Sequence, residues 1–343
     1  MKALRKMARG IGNLALQAVP DPVAGPGQVV LSLDSTGICG TDLHIYLDEF
    51  ATEPPVTIGH ELAGTISQIG PGVTGWQLGD RVTSETYFHT CGHCLQCRRG
   101  RPNLCAERRS IGSKVDGAMA QFMTTPARNL HRIPDSLSLE AAAFTEPLAC
   151  VVHGLVDTAG VKPGDRVVIT GPGPIGLLAL QVCLASGAHV VMVGTAQDGQ
   201  RLELARQLGA VATLRADSGD DVPMAVRDLI GPPDLVVECS GAGAAADLLL
   251  KTAGQGARFC QLGLTGKPVQ LDLDLVCYRE LTVTGTNATV PTAWPRALRL
   301  LTGGLVDTAP LITHRFPLSG WEAAFRMAEE KQGVKIMLKP GQA

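Results

Sequence analysis

Side chains able to share a metal ion recur in three separate stretches of the chain. Cys39 opens Cys39-Gly40-Thr41-Asp42-Leu43-His44, and His60 and Glu61 stand side by side in Ile58-Gly59-His60-Glu61-Leu62-Ala63-Gly64. Glu146 stands in Thr145-Glu146-Pro147-Leu148-Ala149-Cys150. A lone His-Glu pair is ordinary surface polarity. A thiolate, an imidazole and carboxylates drawn from distant stretches are what a catalytic zinc needs, because such sites use few protein ligands and keep one position open for water or substrate. Glu146 sits among apolar residues, where an unpaired charge is costly. Metal is the preferred partner for it, and an arginine ion pair is the alternative.

A second cluster has a different grammar. Cys91, Cys94 and Cys97 follow one another at two-residue gaps, and Cys105 comes after seven intervening residues. That spacing strains disulfide pairing but lets one loop wrap a tetrahedral ion with four thiolates, a closed structural zinc site. His89 and His93 lie nearby and are expected to be loop residues, since four cysteines already fill the shell. In apolar stretches elsewhere, Cys183, Cys239, Cys260 and Cys277 are expected to be buried and to behave as small hydrophobes.

The third constellation is Gly171-Pro172-Gly173-Pro174-Ile175-Gly176. A bare G-x-G-x-x-G says little. Here the β-branched run Arg166–Thr170 precedes it, and a helix over Ile175–Ser186, closed by Gly187, follows. In that setting Gly171, Gly173, Pro174, Ile175 and Gly176 let a pyrophosphate approach the free N–H groups of the helix start. NAD-specific folds place an acid at the end of the second strand to hold the ribose 2′-hydroxyl. After Val190–Val193 this chain has Gly194 and Thr195 instead. Nothing there repels a 2′-phosphate, and Arg201 could supply charge, so NADP is favoured over NAD. The competing reading is that Asp198 swings in and restores the NAD contact.

The elements that must position these residues fall into two groups. Up to about residue 150 the chain shows short strands with turn signals: Gln28–Leu33, Val56–Ile69 and a strand at Arg81-Val82, with a short helix from Gly40 and another over Leu139–Phe144. From about 155 strands alternate with helices at Arg166–Thr170, His189–Val193, Asp234–Cys239, Ala257–Gly263 and Leu281–Gly285, which predicts a doubly wound parallel sheet. Trp294–Leu301, Leu311–Pro317, Gly320–Lys331 and Val334–Leu338 are expected to return to the first group. The fold class is α/β.

At 343 residues two domains are the default. A net charge of -2 offers no electrostatic case for nucleic acid or an anionic membrane. Apolar runs such as Ile175–Ala185 fall short of the roughly 20 residues a membrane span needs. Met1–Gly10 is basic but lacks the apolar block of a secretory signal, so a cytoplasmic protein is expected. Forty glycines among 343 residues suit many tight turns.

Cys39, His60-Glu61, the four-cysteine loop, Glu146 and the Gly171–Gly176 turn, in this order, resemble the zinc-dependent medium-chain dehydrogenases over nearly the whole chain. Glu146 in Glu-Pro-Leu-Ala is similar to the polyol (sorbitol/L-iditol) and threonine dehydrogenase branch; ordinary alcohol dehydrogenases carry a cysteine there. The resemblance implies a discontinuous GroES-like catalytic domain, residues 1–153 and 287–343, around a Rossmann dinucleotide-binding domain, residues 154–286. It implies that Cys39 and His60 hold the catalytic zinc with Glu146 or Glu61, directly or through water. Such an ion lowers the pKa of a substrate hydroxyl and eases loss of hydride to the nicotinamide. Thr41 and His44 resemble the family's proton relay, with a helix cap and a surface histidine as the plain alternatives. Asp42 is expected to orient His60. The activity implied is oxidation of a secondary alcohol, with threonine-type amino alcohols and simple alcohols as alternatives, in a homo-oligomer, expected as a tetramer. A non-catalytic dinucleotide-binding relative and the quinone-reductase branch are the other readings; the retained ligand set argues against both.

Overall fold

The computed structural model describes residues 1–341, which divide into two compact units. The first contains Met1–Glu146, Thr289–Thr302 and Leu311–Ala343; the second contains Pro147–Ala288 and Gly303–Pro310.

In the first unit a mixed sheet runs in the order Leu130–Arg132, Arg81–Ser84, Glu61–Ile69, Gln28–Gly37, Lys335–Lys339, Ile312–Pro317, with Phe122–Pro126 also paired to Gln28–Gly37. Strands Lys335–Lys339 and Ile312–Pro317 therefore share a sheet with Gln28–Gly37 and Glu61–Ile69. Val29, Leu31, Leu33, Leu62, Ile66 and Val82 form its buried face, as period-2 alternation requires. The segment expected as one strand over Val56–Ile69 is broken. Val56–Thr57 belongs to a small three-stranded sheet, and pairing resumes only at Glu61. The break lies at Gly59, whose φ of +92° brings its α-carbon so near Met119 that a Cβ would lie 2.9 Å from the Met119 backbone nitrogen.

The second unit holds a six-stranded, all-parallel sheet. Its order is Ala212–Arg215, His189–Gly194, Arg166–Thr170, Leu235–Glu238, Arg258–Gln261, Thr282–Gly285. Numbered along the unit, that order is 3-2-1-4-5-6, the doubly wound arrangement, with its switch point between Arg166–Thr170 and Leu235–Glu238. Strand Ala212–Arg215 and helix Val222–Ile230 escape the sequence reading. The strand is four residues long and half polar. The helix does carry a start signal, since the Asp221 side chain accepts from Met224 N, with Pro223 following in the first turn.

Two sequence expectations are corrected. Helical structure runs from Leu139 to Thr158, well beyond the helix expected over Leu139–Phe144; an 18-residue window of it has a mean hydropathy of 1.3, long and apolar enough to cross a bilayer, and 72% of that window is buried. Cys183 and Cys260 are buried and Cys239 half-buried, but Cys277 is exposed. It lies on the five-residue helix Asp274–Tyr278, which buries no residue.

Candidate active site

Strand register brings the first constellation together. Gly37 pairs with Glu61 and also with Met337. Cys39, two residues beyond one strand, and His60, one residue before another, therefore emerge at the same corner of the sheet. Lys335 opens the third strand there. Ligand atoms of Cys39, His60 and Glu61 lie within 4.8 Å of one another. Gly37 makes the corner possible: a Cβ would overlap the Glu61 carboxylate and lie 2.7 Å from Lys335 Cε. Sulfur, imidazole nitrogen and carboxylate oxygen at that separation fit a single zinc ion.

Charge is concentrated here and sealed from water. Asp42, Glu61 and Lys335 are 0, 1 and 2% exposed. Lys335 Nζ donates to Glu61 Oε1 at 2.6 Å and to the Ile38 carbonyl at 3.0 Å. Burial lowers the Lys335 pKa, yet Glu61 and the Cys39 thiolate outweigh it and hold the ammonium above its ordinary value. Burial likewise disfavours a charged His60. The Cys39 thiolate, Asp42 and Glu146 reverse this and raise the imidazole well above its usual range. The pocket is built to face a cation.

Each remaining residue has a definite place. Glu146 is buried near the start of helix Thr145–Val152 and acts on His60 through its charge, but it stands outside the three-donor cluster. Asp42 Oδ2 accepts from the Cys39 N–H at 2.9 Å, fixing the loop that presents the thiol, and Asp42 Oδ1 lies 3.9 Å from His60 Nδ1. Thr41 Oγ1 is 3.8 Å from Cys39 Sγ. His44 lies three residues on along helix Gly40–Tyr46, where side chains share a face. Its ring is 38% exposed, with Nδ1 2.7 Å from Glu49 Oε2.

The four-cysteine loop closes on itself. Cys91, Cys94, Cys97 and Cys105 have their sulfurs within 4.8 Å of one another. Cys91 Sγ is 4.0 Å from Cys97 Sγ and 3.6 Å from Cys105 Sγ. Zn–S bonds of about 2.3 Å in a tetrahedron require sulfur separations of about 3.8 Å. Backbone N–H groups of Cys94, Cys97 and Cys91 point at the sulfurs of Cys91, Cys94 and Cys105. Those of Cys94 and His93 bring the Cys91 thiol down to about 6, and burial pushes Cys97 up to about 12. His93 Nδ1 turns to the Cys91 carbonyl at 2.8 Å.

In the second unit Gly171 has φ +86°, and a Cβ on it would lie 2.7 Å from Ser240 Cα. A Cβ on Gly176 would strike the Gly171 carbonyl, while Gly173 opens onto free space at the start of helix Pro174–Ala185. Backbone N–H groups can thus face a pyrophosphate there. Two residues, one in each unit, were not singled out from the sequence. Glu238, fully buried, accepts from the N–H groups of Ser240 and Gly241 and from Gln261 Nε2, tying loops at the carboxyl ends of adjacent strands. Lys335, at the metal corner of the first unit, is the other omission from the sequence reading. Both needed knowledge of sheet order, which no local motif carries.

A zinc-type donor cluster and a glycine turn at a sheet's switch point define an oxidoreductase that uses zinc and a nicotinamide dinucleotide. Residues 25–135 match the alcohol dehydrogenase GroES-like domain, and residues 174–303 match the zinc-binding dehydrogenase domain. The chain is 38% identical over 344 residues to a sorbitol dehydrogenase of Halalkalibacterium halodurans, covering 99% of each chain. It is also 38% identical to an L-threonine 3-dehydrogenase of Xanthomonas axonopodis pv. citri, over 98% of this chain and 99% of that one. A zinc-binding dehydrogenase, so described, from Sinorhizobium meliloti was solved bound to NADP. It superposes with a TM-score of 0.91 at 32% identity, covering 99% of both chains. The chain belongs to the zinc-dependent medium-chain dehydrogenases, in the branch of the polyol and threonine enzymes.

Proposed function

We propose that the protein oxidises a secondary alcohol of a polyol-like molecule to a ketone, with Cys39, His60 and one carboxylate holding the catalytic zinc. The observation that carries this is the three-strand corner that sets ligand atoms of half-buried Cys39 and His60 and buried Glu61 within 4.8 Å of one another. Bound zinc supplies Lewis acidity that lowers the pKa of a hydroxyl, and the nicotinamide supplies a hydride acceptor. The protein's own residues do the rest. Cys39 and His60 are the fixed donors. Glu61, which is paired with Lys335, or Glu146 supplies the third, directly or through water. Thr41, beside Cys39, takes the hydroxyl proton as it hands its own to His44, whose exposed ring releases one to solvent. Asp42 holds the Cys39 loop.

The four cysteines Cys91, Cys94, Cys97 and Cys105 hold a second, structural zinc, a reading that the near-tetrahedral sulfur spacings support. The cofactor side uses Gly171, Gly173, Pro174, Ile175 and Gly176 for the pyrophosphate and Gly194, Thr195 and Arg201 for the adenosine end. NADP is the preferred cofactor. The second strand ends in Gly194, and Asp198, which could have read a ribose, instead accepts from the Thr195 N–H at 3.0 Å and the Thr195 hydroxyl at 2.8 Å. The protein is a homo-oligomer. The sheet edge at Thr282–Gly285, with Val283 51% and nearby Tyr278 77% exposed, offers a surface for a second copy, and a monomer in light scattering would overturn this.

A panel of C4–C6 polyols, aldonates, threonine and ethanol, assayed with NADP and NAD before and after chelation, tests the reading. Ethanol turning over faster than every polyol, sugar acid and amino alcohol would sink it. A kcat/KM tenfold higher with NAD would sink the cofactor assignment. Threonine is the second reading, favoured by the 38% identity to a threonine dehydrogenase.

A further inference from the structure

In the second unit the sheet register puts a second arginine beside Gly194. Strands His189–Gly194 and Ala212–Arg215 run parallel, and Gly194 and Arg215 are direct partners. Partners in a parallel pair carry their side chains on the same face, because successive residues alternate between faces. Gly194 shows which face that is: a Cβ there would lie 3.1 Å from Pro172 Cγ, inside the glycine turn, and 3.1 Å from Asp198 Cβ. Arg215 therefore leaves the sheet on the side of the glycine turn, directly beside Gly194.

The two residues after Gly194 have their backbone donors already engaged. Asp198 accepts from the Thr195 N–H, and Asp217 Oδ2 accepts from the Ala196 N–H at 2.9 Å. A phosphate beside Gly194 therefore meets no free N–H on Thr195 or Ala196, and side-chain charge is the stronger hold there. Of the two arginines, Arg201 is 14% exposed at its side chain and lies 3.6 Å from Asp198. Burial lowers its pKa, the mark of a desolvated group tied to its own helix turn. Arg215 is 50% exposed and contacts Asp217 Oδ1 through Nε at 3.2 Å. Its Nη edge is left for a bidentate partner, the geometry in which guanidinium grips phosphate best. Since Asp217 also binds Ala196, Arg215 is tied to the loop whose opening it would guard.

We infer that Arg215 is the specificity-determining cation for the adenosine 2′-phosphate, with Arg201 in the lesser role; the inference rests on the NADP assignment above. It changes which residue decides the cofactor, from the helix after the second strand to the end of the third.

Calorimetric titration of the zinc-loaded, full-length protein with 2′,5′-ADP and with 5′-AMP tests it, since the two probes differ by that phosphate alone. The wild type is expected to prefer 2′,5′-ADP by about tenfold or more, and Arg215→Ala to remove about tenfold of that preference while leaving 5′-AMP binding unchanged. Arg215→Lys should keep part of it, as a point charge without the fork, and Arg201→Ala should cost less than Arg215→Ala. A wild-type preference that survives Arg215→Ala, or falls further in Arg201→Ala, overturns the assignment to Arg215 and leaves the NADP reading standing. Equal binding of both probes by the wild type overturns the NADP reading, and this inference with it.

Discussion

The two cysteine-bearing centres of the first unit are built in opposite ways. The four-cysteine loop draws every donor from residues 91–105, and the loop's own N–H groups bond to its sulfurs. It needs little from the rest of the fold. The Cys39–His60–Glu61 corner has no such autonomy. Three strands must meet in register, Gly37 must lack a side chain, and Lys335 must arrive from 274 residues away to neutralise Glu61. A closed, all-sulfur site can stabilise the chain that makes it. An open, mixed-donor site is instead held in place by structure formed elsewhere, which leaves one position for substrate. On the proposed roles, stability falls to one centre and chemistry to the other.

The largest expected effect tests that division directly. Cys39→Ser should reduce turnover to background while shifting the melting temperature by less than about 2 °C, because the corner's strands do not depend on the ion. Cys97→Ser should do the reverse, lowering the melting temperature by roughly 5–10 °C with the remaining folded protein still active. Differential scanning fluorimetry beside a fixed-substrate assay reads both. Equal stability losses would end the comparison.

Chelation should separate the centres in time. Elemental analysis should find two zinc ions per chain at the start. The open site is reached by a chelator first, so activity should vanish when one equivalent has been lost, with the melting temperature nearly unchanged. Loss of the second equivalent should coincide with unfolding. Activity that declines only with the second ion would reverse the roles.

Legibility in the sequence followed the same line. The four-cysteine loop and the Gly171–Gly176 turn were readable because their chemistry lies within fifteen residues. Cys39, His60 and Glu146 were readable as residue types in local motifs, but the cluster's actual members depend on register. Gly37 opposite Glu61 sets Cys39 against His60, and no local pattern states that pairing. Lys335 looked like one more charged residue in a terminal strand, and Arg215 like the end of nothing, because strand Ala212–Arg215 itself was missed. What a sequence hides here is which strand lies beside which.

Lys335 gives the next test. Lys335→Met leaves the Glu61 carboxylate buried without its counter-ion, a change that costs about 3–5 kcal/mol in buried pairs. The apo protein should bear that loss in full. Zinc-loaded protein should lose less, because the ion can take over as the partner of Glu61. The double variant Lys335→Met, Glu61→Met should recover much of the stability, since well-packed apolar residues often replace a buried pair at no cost. Chemical denaturation with and without zinc measures each. Identical losses in apo and loaded protein would show that Glu61 and the metal site are not electrostatically linked.

The smallest effect concerns Asp42, which touches the cluster without joining it. Its Oδ2 fixes the Cys39 N–H at 2.9 Å, and burial raises its pKa while His60 opposes the rise. Asp42→Asn keeps an acceptor for that N–H, so the loop and the fold should survive. It removes a negative charge 3.9 Å from His60 Nδ1, making the imidazole a weaker donor to the ion. Supports of this kind are worth about 10–100-fold in metal affinity. Competition with a chromophoric chelator should therefore show catalytic zinc released about tenfold more readily in Asp42→Asn, with the second equivalent held as in the wild type. Excess zinc should restore most of the activity. If both equivalents loosen together, Asp42 supports the unit as a whole and the contrast between the centres is weaker than the geometry implies. If neither loosens, the backbone bond to Cys39 is its whole contribution.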